Sequence, residues 1–374
     1  METLFFVACI LHRRQYIRRR RLSILLLNLL LLRRRYQLRP RHYLTRSCLL
    51  SYDNIEWHKL FRDGSDVNLI NVISLTRIAF EYLLSHFSRY YIIKAGNDRR
   101  GRRPALQHKS TVLALLLSFY CDECGHKTLC RLFGIPPATL SRTLKKAEIA
   151  LQKALRVIPE AAILWPSLDQ QREWAQKVKD KNILIEGRWG FIDGKNYRVQ
   201  KPSASDIQNA CYNGWLHATL ITGCFCFGVD GTLCWGKHNI VGSWNDGDIS
   251  RPFQDKLLDD TINVPGHGVL SDSAFPVRNG LQGRIITPLK DGDLEKQPVN
   301  LQQLIQLISN AITSMRQSCE WGMGSVEKVY RRLLQKLPFD QDVRARRLDV
   351  IYRLFNFRVR TTGISQIRSY FYNN

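Results

Sequence analysis

Residues 187–200, GRWGFIDGKNYRVQ, read as a buried strand with one charge set in its middle. Trp189, Phe191 and Ile192 supply core side chains, and Tyr197 and Val199 continue the run. Asp193 interrupts it, followed at once by Gly194. An unpaired carboxylate in such a place costs free energy or shifts its pKa. Either Asp193 only starts a turn, or it stands there to meet a cation.

The surrounding pattern sets the fold class. From Ile183 onward the texture is β: the strand above, then GWLHATLITGCFCFGVDGTLCWGKHNIVG, in which Asp230-Gly231 is a hairpin turn between two apolar runs. A helix near 250–258, a short strand in HGVLSDSAFP, another around RIITPL and a long helical tract from about Asn300 through Leu334 follow. A three-strand meander, then alternation, then helices describes a mixed α/β sheet covered by helices.

Upstream of Ile183 the chain reads as helical. Val72, Leu75, Ile78, Ala79, Tyr82, Leu83 and Phe87 recur at helical spacing and form one face. A basic break, GNDRRGRRPAL at 96–106, reads as an exposed linker or DNA-facing loop. Beyond it, a helix through Leu116 and Phe119 leads to a short helix with Leu129, Leu132 and Phe133. Gly134, Ile135 and the Pro136-Pro137 pair make a turn, and a further helix starts near Ala138. This is the pattern of a helix-turn-helix at about 126–155. On its last helix Leu140, Leu144 and Ala147 point inward, leaving Thr139, Ser141, Arg142, Lys145 and Lys146 for a groove or its phosphates. The competing reading is an αα-hairpin with a solvated basic face. One more amphipathic helix and a hinge occupy 160–183.

Charge favours the first reading. The chain carries 56 Lys and Arg against 32 Asp and Glu, a net +24, which calls for a polyanionic partner such as nucleic acid. Residues 1–50 hold twelve arginines and one acid, so nearly half of the excess sits in the leader. Its apolar run, Leu22 to Leu32, is interrupted by Asn28 and is too short for the roughly 20 residues that span a bilayer. No membrane role is expected from it. A basic surface helix, a nuclear-localisation patch and an incidental leader remain open. The cysteines show no disulfide framework and fit a reducing, intracellular setting. CDECGHKTLC offers Cys121, Cys124, His126 and Cys130 as soft ligands, but their spacing on a helix favours packing over zinc.

Asp193 has companions. Asp272, in GVLSDSAFP, also follows a short apolar strand, and carboxylates at neighbouring strand ends converge at one edge of an α/β sheet. Asp246, in GSWNDGD, precedes a helix. Glu320, on the long helix, can project back across the edge. Three or four hard oxygen donors suit Mg²⁺ or Mn²⁺, and such ions drive in-line phosphoryl displacement on DNA. Taken singly, each acid has a plainer reading. Asp193-Gly194 and Asp246-Gly247 are turn sequences, Asp272 can cap a helix, and Glu320 can be a solvated side chain.

Six blocks in order carry a resemblance: GFIDGKNYRVQKPS, QNACYNGWLHATLITGCFCFGVDGTLCW, GSWNDGDISRPF, VLSDSAFPVRNGL, RQSCEWGMGSVEKVYRRL and RVRTTGISQIRSYF. With the helix-turn-helix block KTLCRLFGIPPATLSRTL, they span about residues 70–370. The chain resembles a PIF/Harbinger-type transposase of the DDE superfamily. That resemblance implies an RNase H-like mixed sheet flanked by helices, preceded by an all-α helix-turn-helix region. It makes Asp193, Asp272 and Glu320 the catalytic triad and Asp246 a further metal-binding acid. Asp248 is the fallback for Asp246, and Glu327 competes with Glu320. The implied activity is Mg²⁺- or Mn²⁺-dependent cleavage and joining of DNA at transposon ends, in the nucleus. Lys195, Arg198 and Arg251 are candidate phosphate contacts. A separate Myb-like DNA-binding protein is the implied partner, and a homo-oligomer is allowed. The expected division is a disordered or incidental leader at 1–51, a helical region at 52–160, a connecting helix and hinge at 161–188, a catalytic domain at 189–360 and a tail at 361–374. Two alternatives stand beside this reading. One is a domesticated or inactive descendant that binds DNA without cutting it. The other is a metal-dependent hydrolase acting on another phosphodiester.

Overall fold

The computed structural model describes residues 2–42, 44, 46–93, 104–281 and 283–372. The basic break at 96–106 lies for the most part outside the described residues. The leader forms one long helix, α1 (Glu2–His42), and every side chain from 6 to 37 is exposed. The leucines between Leu11 and Leu32 therefore contribute nothing to the core, whereas Leu44 and Leu49 beyond the helix pack against it.

The helical region comprises α2 (Glu56–Asp63), α3 (Asp66–Ile73), α4 (Arg77–Tyr90), α5 (Lys109–Cys121), α6 (His126–Leu132) and α7 (Pro137–Val157). The face expected from Val72 to Phe87 is split in two. Ser74 takes a left-handed conformation (φ 63°) that ends α3, and the Thr76 hydroxyl accepts the Ala79 amide to start α4. The break changes the phase of the pattern. Leu75, Ala79, Leu83 and Phe87 stay buried, whereas Val72 and Ile78 are exposed. Helix α5 is the centre of this layer, buried continuously from Thr111 to Tyr120. Between α6 and α7 the chain turns at 133–136, with Gly134 at φ 61° and Pro137 opening α7. Leu140, Leu144 and Ala147 are buried, as their spacing requires.

Next come α8 (Leu168–Lys181), β1 (Arg188–Arg198), α9 (Ser205–Cys211), β2 (Tyr212–Asn213), β3 (Ala218–Gly228) and β4 (Leu233–Val241). They are followed by α10 (Asp246–Leu257), β5 (Gly268–Leu270), β6 (Ile285–Ile286), α11 (Val299–Val329), α12 (Gln341–Thr362) and α13 (Gln366–Tyr372). The six strands form one mixed sheet. β1, β3 and β4 make the antiparallel meander, while β5 and then β6 add in parallel on the other side of β1. β2 pairs with the start of β3. The hairpin turn between β3 and β4 uses Gly231 at φ 83°, and the Asp230 carboxylate accepts the Thr232 amide.

One helix joins the two halves. α12 buries Leu348, Ile351, Tyr352, Leu354, Phe355 and Phe357, and its Tyr352 stacks on Phe225 of β3 at 4.4 Å. On its other flank Arg347 donates to Glu148 of α7 at 2.9 Å, and Tyr120 of α5 donates to the same oxygen at 2.7 Å. The C-terminal tail also belongs to the core: Ile367 and Phe371 of α13 are buried, and Phe371 stacks on Phe191.

Candidate active site

β1 runs unbroken through Asp193 and Gly194, so the Asp-Gly pair is not a turn. Asp193 sits opposite Phe225 of β3. On the other side β5 pairs with β1 only as far as Phe191, after which the Ser271 hydroxyl donates to the Ile192 carbonyl at 2.8 Å. The next residue is Asp272. Where β5 ends, β1 continues paired only with β3, and the edge opened on the β5 side is where both acids stand.

The third carboxylate comes from α10. Asn245 caps this helix by accepting the Asp248 amide, which fixes Asp246 in the first turn. Gly194 makes room for it: a Cβ at position 194 would lie 2.9 Å from both Asp246 carboxylate oxygens. Side chains alternate along a strand. Asp193 therefore shares the α11 face of β1 with Phe191 and Lys195, while Gly194 opens the α10 face to Asp246.

Electrostatics tie the three together. The Asp193 carboxyl is pushed up to about 6. Burial is the main cause, and the charges of Asp272 and Asp246 add to it; the Gly194 amide, which donates to Asp193 at 2.7 Å, and the nearby Arg316 act the other way. Asp246 is also raised, by burial of its carboxyl and by Asp272. Mutual repulsion of this kind is relieved by a cation.

Helix α11 supplies the remaining charges. It is anchored on the sheet through Cys319, whose thiol contacts the carbonyls of Phe191 at 3.6 Å and Phe225 at 3.8 Å. Arg316, Glu320 and Glu327 fall on one stripe of the helix by its periodicity. Arg316 donates to Glu320 at 3.1 Å, and its buried Nε has no partner among the described residues. Glu320 is thus exposed and engaged by Arg316 rather than turned onto the aspartates. Glu327 accepts from Lys195 at 2.9 Å. The structure places Asp193, Asp246 and Asp272 within electrostatic reach of one another, and Arg316 links Glu320 to Asp193.

Among the described residues, no three His, Cys, Asp or Glu side chains converge closely enough to ligate one ion. The donor chemistry nonetheless fits a hard divalent cation: carboxylate oxygens, with Asp193 and Asp246 partly buried and both raised by the charge of Asp272. The soft-ligand stretch behaves differently. Cys130 is buried in the helical core, and burial pushes the Cys121 thiol up to about 12, which suits packing residues.

The candidate DNA-contacting residues divide. Ser141, Arg142, Lys145 and Lys146 are exposed on α7, and Thr139 is half-buried at its start. Arg142 folds back to the Ala138 carbonyl at 3.1 Å. Arg198 is exposed at the end of β1, whereas Lys195 is held by Glu327 and Arg251 by Asp248 at 2.9 Å. Sequence reasoning passed over Arg316 and the steric role of Gly194. The first left a signal, an Arg–Glu pair at i,i+4 on a helix; the second left none.

Residues 192–356 match the family of DDE superfamily endonucleases. The match begins one residue before Asp193, ends inside α12, and includes Asp246, Asp272 and both α11 glutamates. It supports a nuclease domain of the DDE superfamily, for which DNA is the implied substrate. The mixed sheet with its flanking helices is consistent with that superfamily. No curated protein and no solved structure matches the chain.

Proposed function

We propose that this protein is a metal-dependent DDE transposase of the PIF/Harbinger type, cutting and joining DNA at transposon ends. The observation that carries the reading is the Asp193 carboxyl, raised by burial and by two further aspartates at the open edge of a sheet within the matched segment. Asp193, Asp246 and Asp272 would hold Mg²⁺ or Mn²⁺. Such an ion polarises a phosphodiester and lowers the pKa of a water or 3′-hydroxyl. The remaining work falls to the chain itself. β1 carries Asp193, the segment just after β5 carries Asp272, and α10 presents Asp246. Glu320, now paired with Arg316, would complete the set if that pair opened. Arg198 is exposed on β1 beyond Asp193, where it draws the DNA backbone across the edge. The α6–α7 pair acts as the helix-turn-helix, with Arg142, Lys145 and Lys146 on phosphates. By the same resemblance the protein works in the nucleus with a Myb-like DNA-binding protein, and as an oligomer if it self-associates.

The test is nicking of supercoiled plasmid and of a terminal-repeat duplex by the full chain, with Mg²⁺ or Mn²⁺ and with EDTA. Divalent-dependent nicking that vanishes in Asp272→Ala is expected. Nicking that persists undiminished in that variant removes the site from the reaction. Salt-sensitive DNA binding with no nicking by the wild-type chain would instead identify a protein that only binds.

A further inference from the structure

A second cleft lies on the α10 side of the sheet, at the helix turn that carries Asp246. It has a volume of about 420 Å³ and is lined by Lys237, Ser243, Trp244, Asn245, Asp248, Arg251 and Pro252. Its size falls within the range of small-molecule clefts, about 300–1,000 Å³. Lys237 belongs to the same row across the sheet as Gly194, through Cys224 of β3. Two strand spacings, about 10 Å, separate its Cα from that of Gly194. Asp246 lies over Gly194, so the cleft opens directly beside a candidate metal-holding carboxylate.

The lining combines one aromatic platform with two cations. Trp244 is 50% exposed, and its indole is not part of the core. Lys237 is half-buried and has no ion pair or hydrogen bond from its ammonium among the described residues. Arg251 pairs with Asp248 on an exposed surface, a contact of little net strength that a phosphate can replace. A second exposed indole belongs to the turn that is bonded to Gly242, the residue before the cleft's Ser243. Trp215, 90% exposed, sits on the β2–β3 turn, where Asn213 accepts its amide and also donates to the Gly242 carbonyl. A flat apolar face flanked by cations matches a nucleobase and its own phosphates.

We infer that the Lys237–Trp244–Arg251 cleft takes one unpaired nucleotide of the DNA next to the scissile phosphate, with Trp244 stacked on the base and the two cations on its phosphates. This inference rests on the nuclease reading and adds a substrate feature to it: the strand at the site is locally unpaired. Any base fits such a platform, so the cleft confers a preference for unpaired ends rather than for a sequence.

The experiment measures anisotropy of a labelled blunt duplex and of the same duplex with a single-stranded 3′ end, using the full chain in EDTA so that no strand is cut. Wild type should prefer the unpaired end. Trp244→Ala should lose on the order of tenfold in affinity for that end and little for the blunt duplex. Trp244→Phe should retain most of the preference, and Lys237→Ala should lower the salt slope on the unpaired end by about one. Equal losses on both duplexes, or no loss on either, overturn the inference. An altered sedimentation of Trp244→Ala with the preference intact also overturns it, by assigning the indole to contact between copies. If Trp244→Ala keeps the wild-type preference while divalent-dependent nicking stands, only the cleft is refuted. If wild type neither binds nor nicks DNA, the nuclease reading falls as well.

Discussion

Gly194→Ala separates the fold from the site. The strand is extended at this position, so the backbone accepts alanine without strain, and the nearest group to the added methyl is the Asp246 carboxylate, at 2.9 Å from both oxygens. Ordinary contact needs roughly 0.5 Å more. Asp246 is a short side chain at a helix N-terminus and can yield by leaving its rotamer, at about 0.5–1.5 kcal/mol. Replacing a strand glycine by alanine returns about 0.5–1 kcal/mol of unfolded-chain entropy. The net change in stability should therefore stay within about 1 kcal/mol. Activity has no such compensation. A misplacement of about 1 Å costs on the order of 100-fold, so this smaller shift should cost on the order of tenfold in nicking rate. The assay pairs plasmid nicking with urea unfolding of the same samples. The double variant Gly194→Ala with Asp246→Ala gives the decisive comparison. If glycine matters only because it admits Asp246, the double variant nicks no more slowly than Asp246→Ala alone. A further tenfold loss in the double variant, or wild-type nicking by Gly194→Ala, refutes the reasoning.

The other expectations draw on the same geometry. Asp193 is raised from 3.8 to about 6 in the folded chain, so the folded state holds its proton more tightly than the unfolded one. Its contribution is greatest below about pH 4 and is lost as pH rises through 6; Asp193→Asn should then stabilise the protein in EDTA at pH 7.5 by up to about 3 kcal/mol, though not at pH 3, while abolishing nicking. Urea midpoints at the two pH values check this, and a loss of stability at pH 7.5 counts against it. Glu148→Ala strands the buried Arg347 and should cost about 3–5 kcal/mol, seen as one earlier thermal transition that includes both halves of the chain. Replacing Arg142, Lys145 and Lys146 by alanine should reduce the salt slope of DNA binding by roughly three without slowing nicking of bound DNA at saturation, as filter binding against salt will show.

Much of the catalytic half was legible because it is written in short-range terms. Asp193 and Asp272 each follow an apolar strand, and strand alternation with parallel ends suffices to bring them to one edge. The β3–β4 hairpin announced itself through Asp230-Gly231, and the α6–α7 turn through Gly134 and the two prolines. Features decided by long-range packing were not readable. Nothing local tells that Asp246 reaches β1, since that depends on how α10 settles over Gly194. The engagement of Lys195 by Glu327 depends on the placement of a helix more than 130 residues away. The face expected across Val72 and Ile78 failed for a local reason: a serine in the left-handed region shifted the helical phase, and serine is not a residue that advertises this conformation.

α12 begins only at Gln341, yet it supplies core side chains to the sheet and the buried partner of Glu148 to the helices. During synthesis neither half can close its interior until α12 has left the ribosome. A messenger cut short upstream of this helix thus yields a chain with apolar surface exposed on both sides, fit for proteolysis rather than for holding DNA. Neither the sheet nor the helical layer is left as a stable fragment by a chain that ends before α12.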